Sequence, residues 1–455
     1  MTAVWFDRLA VTRAATVGAV AALIASCGGS ESTSPKVTES PPVKNVELHF
    51  CLSDYPVWVA MQKRDGEWAR VLPDADRVLR MALGSTGGVA VVWSDMNTIV
   101  LYASAEEMNE AFPACQDQQV VGKTVSGTVA GVPTNDVAYV ALGPVAGVPT
   151  PGDSLFVVQN VPDGARDLFA GHGTLSASGL AFSEFILRRG VNVAANGVVP
   201  RLDFHSGEAF PATTASVSLA NFASSPALSV DLTTPTGVDE PVYHNPTAGA
   251  QQTVVGLPSS RLAPGDLHRI EASEQLAQGT VAGGSRFVDV YTTSMTNRTI
   301  ALGPEIAQPT MSIVSSTPSQ RWRVLLPVQA EYGLYADMEF DDASGRAIFV
   351  MTTRGFSAPG AAWDLTIPDF KNTSYDPTWA LQPGTIPTWF IGAFGGDGTV
   401  FQNPTDGMVI RGSVLFKLTG SSDRGASTAI AGASSPVMER RRSLRQTMRL
   451  RLSRR

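Results

Sequence analysis

Short runs of β-favouring residues, each closed by a turn of Gly, Pro, Ser, Asn or Asp, follow one another along most of this chain. Such punctuation suits strands joined by tight turns better than helices. Pro removes a backbone donor, and Gly costs about 1 kcal/mol relative to Ala inside a helix. With 42 Gly and 30 Pro in 455 residues, the pattern is general rather than local. Hydrophobic residues make up 44%, enough for a sizeable core, whereas charged residues are only 16%, so Ser, Thr, Asn and Gln must supply much of the surface. The expectation is an all-β chain of several β-sandwich or barrel-like modules in series, with one short helix and a basic C-terminal tail. At this length, two to four compact units are expected.

The amino-terminal stretch 1–26 sets the address. Arg8 and Arg13 precede an uncharged run from Ala14 to Ser26, and Cys27 follows. That run is shorter than the roughly 20 residues a spanning helix needs, and a basic start with small residues at the cut describes an export signal. Ile24-Ala25-Ser26-Cys27 resembles the lipobox of bacterial lipoproteins. The resemblance implies that Cys27 is acylated and becomes the first residue after cleavage, holding the protein to a membrane by its lipid. Gly28 rather than Asp after the Cys implies, by resemblance to Gram-negative lipoproteins, the outer membrane. Residues 27–45 lack aromatics and periodic apolar positions, and so read as a flexible tether. Of the three cysteines, Cys51 and Cys115 remain, either as a disulfide pair suited to an oxidising compartment or as two unpaired buried thiols.

Three β-rich stretches follow. In 46–116, strands are expected at 46–51, 57–63, 67–72, 78–83, 89–93 and 98–102. Arg64-Asp65-Gly66 is a hairpin signal, and Ser104-Ala105-Glu106-Glu107 is a capping box opening a helix to Ala111. Trp58, Trp68 and Trp93 are expected in the core. In 117–206, Val125–Gly131, Val137–Val140 and Phe156–Gly164 resemble the carboxypeptidase regulatory-like domain, which implies a small non-catalytic transthyretin-like sandwich. The stretch 207–421 carries its clearest strands at 215–220, 228–232, 287–291, 321–329, 334–340, 346–352, 388–393 and 409–418, and reads as one or two sandwiches.

Motifs for chemistry are sparse. His49, His172, His205, His244 and His268 show no metal-ligand spacing and are expected to be surface or satisfied polar residues. Gly122-Lys123-Thr124 lacks the earlier glycine of a phosphate loop, and Gly355-Phe356-Ser357-Ala358-Pro359 has Pro where a nucleophile elbow needs Gly. Asp337, Glu339 and Asp341 alternate with Met338 and Phe340, which places three carboxylates on one strand face. They are calcium candidates, although the absence of ligand-loop spacing favours the solvent face of an amphipathic strand. Trp363, Trp379, Trp389 and Phe390, near Asp364 and Asp369, support an alternative in which the protein binds or processes carbohydrate.

The tail, 422–455, is basic at its end. Residues 439–455 hold eight Arg and one Glu, while the net charge of the whole chain is −7. Setting aside this segment and the leader (Asp7, Arg8, Arg13) leaves a body at −15, which repels nucleic acid. Leu444, Met448 and Leu452 would form a stripe on a helix, flanked by Arg suited to anionic envelope polymers, to a lipid surface or to the acidic body. A disordered tail is the other reading. With no catalytic set in the sequence and no cofactor implied, the leading expectation is a non-catalytic envelope lipoprotein that binds or scaffolds through β-modules.

Overall fold

The computed structural model describes residues 44–417, apart from 51–55, 65, 95, 113–121, 147–149, 152–153, 177–178, 194–196, 277–282, 357–359 and 386. Cys27, Cys51, Cys115 and the Arg-rich tail lie outside the described residues, as do Ser357 and Pro359.

Most of the expected strands form, and many of them pair into one long sheet. Its spatial order begins at Trp68–Arg70 and continues through Trp58–Lys63, Thr86–Val92 and Thr98–Ser104. It then runs through Ala347–Thr353, Tyr335–Asp341, Thr388–Gly396, Val409–Lys417 and Gly283–Thr292. Leu267–Leu276, Ala227–Thr233, Asp239–Asn245, Gly179–Val193, Gly164–Ser176 and Val137–Leu142 complete it. Neighbours are antiparallel except where Thr98–Tyr102 meets Ile348–Thr352 in parallel. None of the described sheets closes into a barrel. The stretches 46–116, 117–206 and 207–421, expected as successive modules, are therefore joined edge to edge by one sheet.

Three smaller sheets cover it, because each strand alternates apolar faces and needs a partner layer. Lys123–Ala130, Ser154–Val161 and Leu202–Asp203 pack Val125, Phe156 and Val158 against Leu168, Ala170 and Ile186. Thr213–Ala220, Gln251–Gly256 and Arg298–Ala301 bring Val217, Val254 and Ile300 onto Val230, Ile270 and Val288. Thr310–Ser315, Arg321–Pro327 and Ala362–Thr366 bring Val324, Leu326 and Leu365 onto Met338, Val350 and Ala90. On the opposite face, the pair Lys44–His49 and Val78–Leu83, with the helix Ala105–Ala111, covers Val59, Val89, Leu101 and Met351. Each such Val, Leu or Ile contributes roughly 1.5–3 kcal/mol on burial.

Local signals came out as read. Ser104 accepts from the Glu107 N–H while the Glu107 carboxylate accepts from the Ser104 N–H, so the capping box opens the one α-helix among the described residues. The strands flanking Arg64-Asp65-Gly66 pair antiparallel. Trp58, Trp68 and Trp93 are buried. Gly164–Ser176 and Gly179–Val193 form a long antiparallel hairpin. Gly171 sits mid-strand, where a Cβ would come within 2.8 Å of the Phe182 ring.

Candidate functional site

Of the five histidines, His172 and His268 are buried, His49 and His244 are half-buried, and His205 is exposed. His172 is the centre of the densest polar cluster. It lies mid-strand in Gly164–Ser176, opposite Glu184 on one side and Ala138 on the other. Asp136, one residue before the strand Val137–Leu142, places Oδ2 2.8 Å from Nδ1, and Glu184 Oε2 lies 3.2 Å from Nε2. Ser183 Oγ is 3.3 Å from the same Nδ1 and donates to the His172 carbonyl at 3.1 Å. The edge of Phe204 closes the ring from one side, 4.5 Å between centroids.

This geometry decides among chemistries. A hydrolytic triad needs its hydroxyl and its acid on opposite ring nitrogens. Here Ser183 and Asp136 share Nδ1, while Nε2 faces Glu184, so no nitrogen is placed to take the Ser183 proton. Each ring nitrogen already faces a carboxylate oxygen, Asp136 at Nδ1 and Glu184 at Nε2. The cluster is a clamp that ties Val137–Leu142 and Gly179–Val193 to the strand between them. Sequence inspection missed it because Asp136 and Glu184 stand apart from His172 in the chain, at separations that match no motif.

Ion pairs serve the same end elsewhere. Arg286 bonds the Glu274 carboxylate through Nε at 2.9 Å and Nη2 at 2.6 Å, and also donates to the Gly303 and Asn221 carbonyls. Burial works to raise the Glu274 carboxyl, but Arg286 and Ser224 outweigh it and hold it below the usual glutamate range. Arg189 reaches Asp167 at 2.7 Å and also pairs with Asp266, which ties the strand Gly179–Val193 to the turn before Leu267–Leu276. Arg269 pairs with Asp231 inside the sheet.

The acids singled out in the sequence do share a face. Asp337, Glu339 and Asp341 point one way from Tyr335–Asp341, while Ala336, Met338 and Phe340 point into the core. The face is not simply solvent: Asp337 is 8% exposed, and Glu339 lies between Phe349 and Phe390 on the two neighbouring strands. Among the described residues, no group of three or more His, Cys, Asp or Glu is arranged to hold a metal ion. The three carboxylates are thus aligned along a strand without forming a calcium cage.

The carboxy-terminal aromatics are core rather than platform. Trp363 is 2% exposed and Phe390 is buried, while Trp379 and Trp389 are half-buried against the core beneath them. Trp379 meets Tyr375 edge-on at 85° and Trp58 at 57°, so these rings offer no common plane to a sugar. Asp364 is held by Arg323 through both of its oxygens, at 3.1 and 2.6 Å. Lys123 opens a strand and pairs with Asp163 rather than heading a phosphate loop. Comparison with models of known protein families, with curated proteins and with solved structures returned no match.

Proposed function

We propose that this protein is a lipid-anchored protein of the bacterial outer membrane whose joined β-sheets act as a rigid scaffold for binding rather than for turnover. The observation that carries the reading is the leader ending in Ile24-Ala25-Ser26-Cys27, followed by a polar tether that leads into the first strand, Lys44–His49. The rigid part draws support from the clamps at His172, Arg189, Arg269 and Arg286, which lock strands to one another. The two layers over 123–193 are compatible with the regulatory-like resemblance of that stretch.

The same reading includes a Cys51–Cys115 disulfide. Phe50 and Phe112, which precede the two cysteines in the chain, pack with ring centroids 5.8 Å apart, and the His49 N–H donates to the Phe112 carbonyl. Thiol alkylation before and after reduction reads the bridge directly.

Metabolic labelling with a clickable fatty acid in a Gram-negative host tests the anchor. The full chain with its leader takes up label and sediments with outer membrane, and Cys27→Ser takes up none. Label retained in Cys27→Ser, or absent from the native sequence, would overturn the proposal.

A further inference from the structure

The covering sheet of Thr310–Ser315, Arg321–Pro327 and Ala362–Thr366 ends on an open edge. Among the described residues, Thr310–Ser315 pairs with Arg321–Pro327 alone. It is also the one described strand of six residues or more without a buried residue, and Ile313 is 52% and Val314 48% exposed. Edge strands are normally blunted by charge, by brevity or by cover. Lys44–His49 carries Lys44 and Glu47 and donates the Glu47 N–H to Asn109, Trp68–Arg70 has three residues, and Ala362–Thr366 carries Asp364. Thr310–Ser315 has none of these protections: no charged residue occurs from 306 to 320, and the strand itself contains no Pro. The irregularity at Val314 interrupts only its end. About half of its backbone N–H and C=O groups therefore face away from the sheet.

Register locates what lies next to this edge. Ile313 is opposite Trp322, whose ring stacks on Phe340 with centroids 5.4 Å apart. Phe340 is in register with Trp389, and Trp389 with Lys417. Lys417 thus ends its strand two strand spacings from Phe340, about 10 Å. Earlier in the chain the Ile306 N–H donates to Ser413 Oγ, so the approach to Thr310 passes over the same strand, Val409–Lys417. Thr310–Ser315 and Val409–Lys417 accordingly run the same way, one in each layer, and the chain leaves Lys417 beside the open edge. Beneath it the long sheet continues through Gly283–Thr292 and Leu267–Leu276, a floor that admits a single extended segment but not another folded copy.

We propose that the segment 426–431 of the same chain pairs antiparallel with Thr310–Ser315, as the fourth strand of the covering sheet. The stretch 418–425 that follows Lys417 holds Gly420, Ser421, Ser422, Asp423 and Gly425, residues suited to reversing the chain. Such a connector reaches up to about 26 Å, more than the roughly 10 Å between packed sheets. A chain reversed after Lys417 meets Thr310–Ser315 antiparallel, the pairing that short connections allow. Residues 426–431, Ala-Ser-Thr-Ala-Ile-Ala, are uncharged like the edge and small enough to lie above the floor, and Thr428 and Ile430 are β-branched. The stretch 439–455, with eight Arg, offers no such match to an uncharged strand. Paired in this way, the segment shields an edge that would otherwise accept an extended peptide or a neighbouring chain.

Hydrogen exchange on the full chain, read by mass spectrometry, tests the pairing. Amides of 310–315 are expected to include a set that exchanges at least about tenfold slower than in Thr428→Pro/Ile430→Pro, which removes two strand donors and alters no described residue. Thr428→Val/Ile430→Val should keep that protection, because Val suits a strand as well as Thr or Ile does. Protection should be equal at low and high protein concentration, and unchanged in about 0.5 M NaCl, because neither strand is charged. Equal exchange in the native chain and the Pro variant would overturn the proposal and leave the edge open. Protection that rises with protein concentration would also overturn it, and would assign the edge to a second copy. Protection that appears only when an extended peptide is added would do the same in favour of an outside partner. None of these readouts depends on Cys27 or on acylation.

Discussion

Acidification should destabilise the protein through one residue, His268. Its side chain is fully buried under the sheet Thr213–Ala220, Gln251–Gly256 and Arg298–Ala301, and Nε2 accepts the Leu257 N–H at 2.9 Å. Burial is the main force on its titration and lowers it. The Thr292 backbone opposite offsets a part, although Nδ1 makes no aligned hydrogen bond, and the Arg298 charge adds to the lowering. The result is a pKa of about 4 against an ordinary 6.5. A native pKa below the unfolded one means that the unfolded chain binds the proton first. The stability is therefore complete above about pH 6.5 and is lost as pH falls toward 4. A difference of two to three pKa units corresponds to about 3 kcal/mol. Protonation would also turn Nε2 into a donor facing the Leu257 N–H, so the hydrogen bond and the charge state fail together. Urea denaturation between pH 7.5 and 4, with His268→Gln as reference, isolates the contribution, since Gln keeps an acceptor but does not titrate. The native curve should fall about 3 kcal/mol further than the variant's across that window. Parallel curves would refute the argument that burial sets this imidazole.

Arg286→Met strands the buried Glu274 carboxylate and should cost about 3–5 kcal/mol by chemical denaturation, whereas Arg286→Met combined with Glu274→Leu should recover much of it. Gly395→Ala drives a methyl into the Glu331 carbonyl within the strand Thr388–Gly396 and should lower stability by at least about 2 kcal/mol in the same assay. His172→Gln leaves two carboxylates sharing weaker donors and should destabilise by about 2–3 kcal/mol. Faster amide exchange in Gly179–Val193 would locate that loss at the clamp.

What could be read from the chain was what local physics dictates. The capping box at Ser104 and Glu107 needs only a few consecutive positions, and the alternation through Asp337, Glu339 and Asp341 needs only one strand, so both came out as expected. The length of Gly164–Ser176 was not legible, because a Gly that admits the Phe182 ring has the same letter as a Gly that turns the chain. The His172 clamp stayed hidden for a different reason: Glu184 meets His172 only through hairpin register, and Asp136 only through a second pairing. The aromatics Trp363, Trp379 and Trp389 invited a carbohydrate reading because composition shows an indole but not what covers it. Here the cover is the core formed with Met338, Val350 and Leu381.

The least legible feature has the widest consequence. Strands 58–104 are apolar on both faces: Trp58, Ala90 and Val100 enter one core, and Val59, Val89 and Leu101 enter another. The first of these cores is completed by Val324, Leu326, Met338, Val350 and Leu365, from far along the chain, through the parallel seam between Thr98–Tyr102 and Ile348–Thr352. A parallel seam needs a long crossover, and loop closure over that distance must come before the contacts that reward it. The amino-terminal strands therefore lack a complete core until the carboxy-terminal strands exist. Such a chain stays loose while it emerges and folds late, after nearly all of it is present. That order of events suits the proposed export leader at its front, because a segment that cannot bury its own faces does not close into a domain ahead of the rest of the chain.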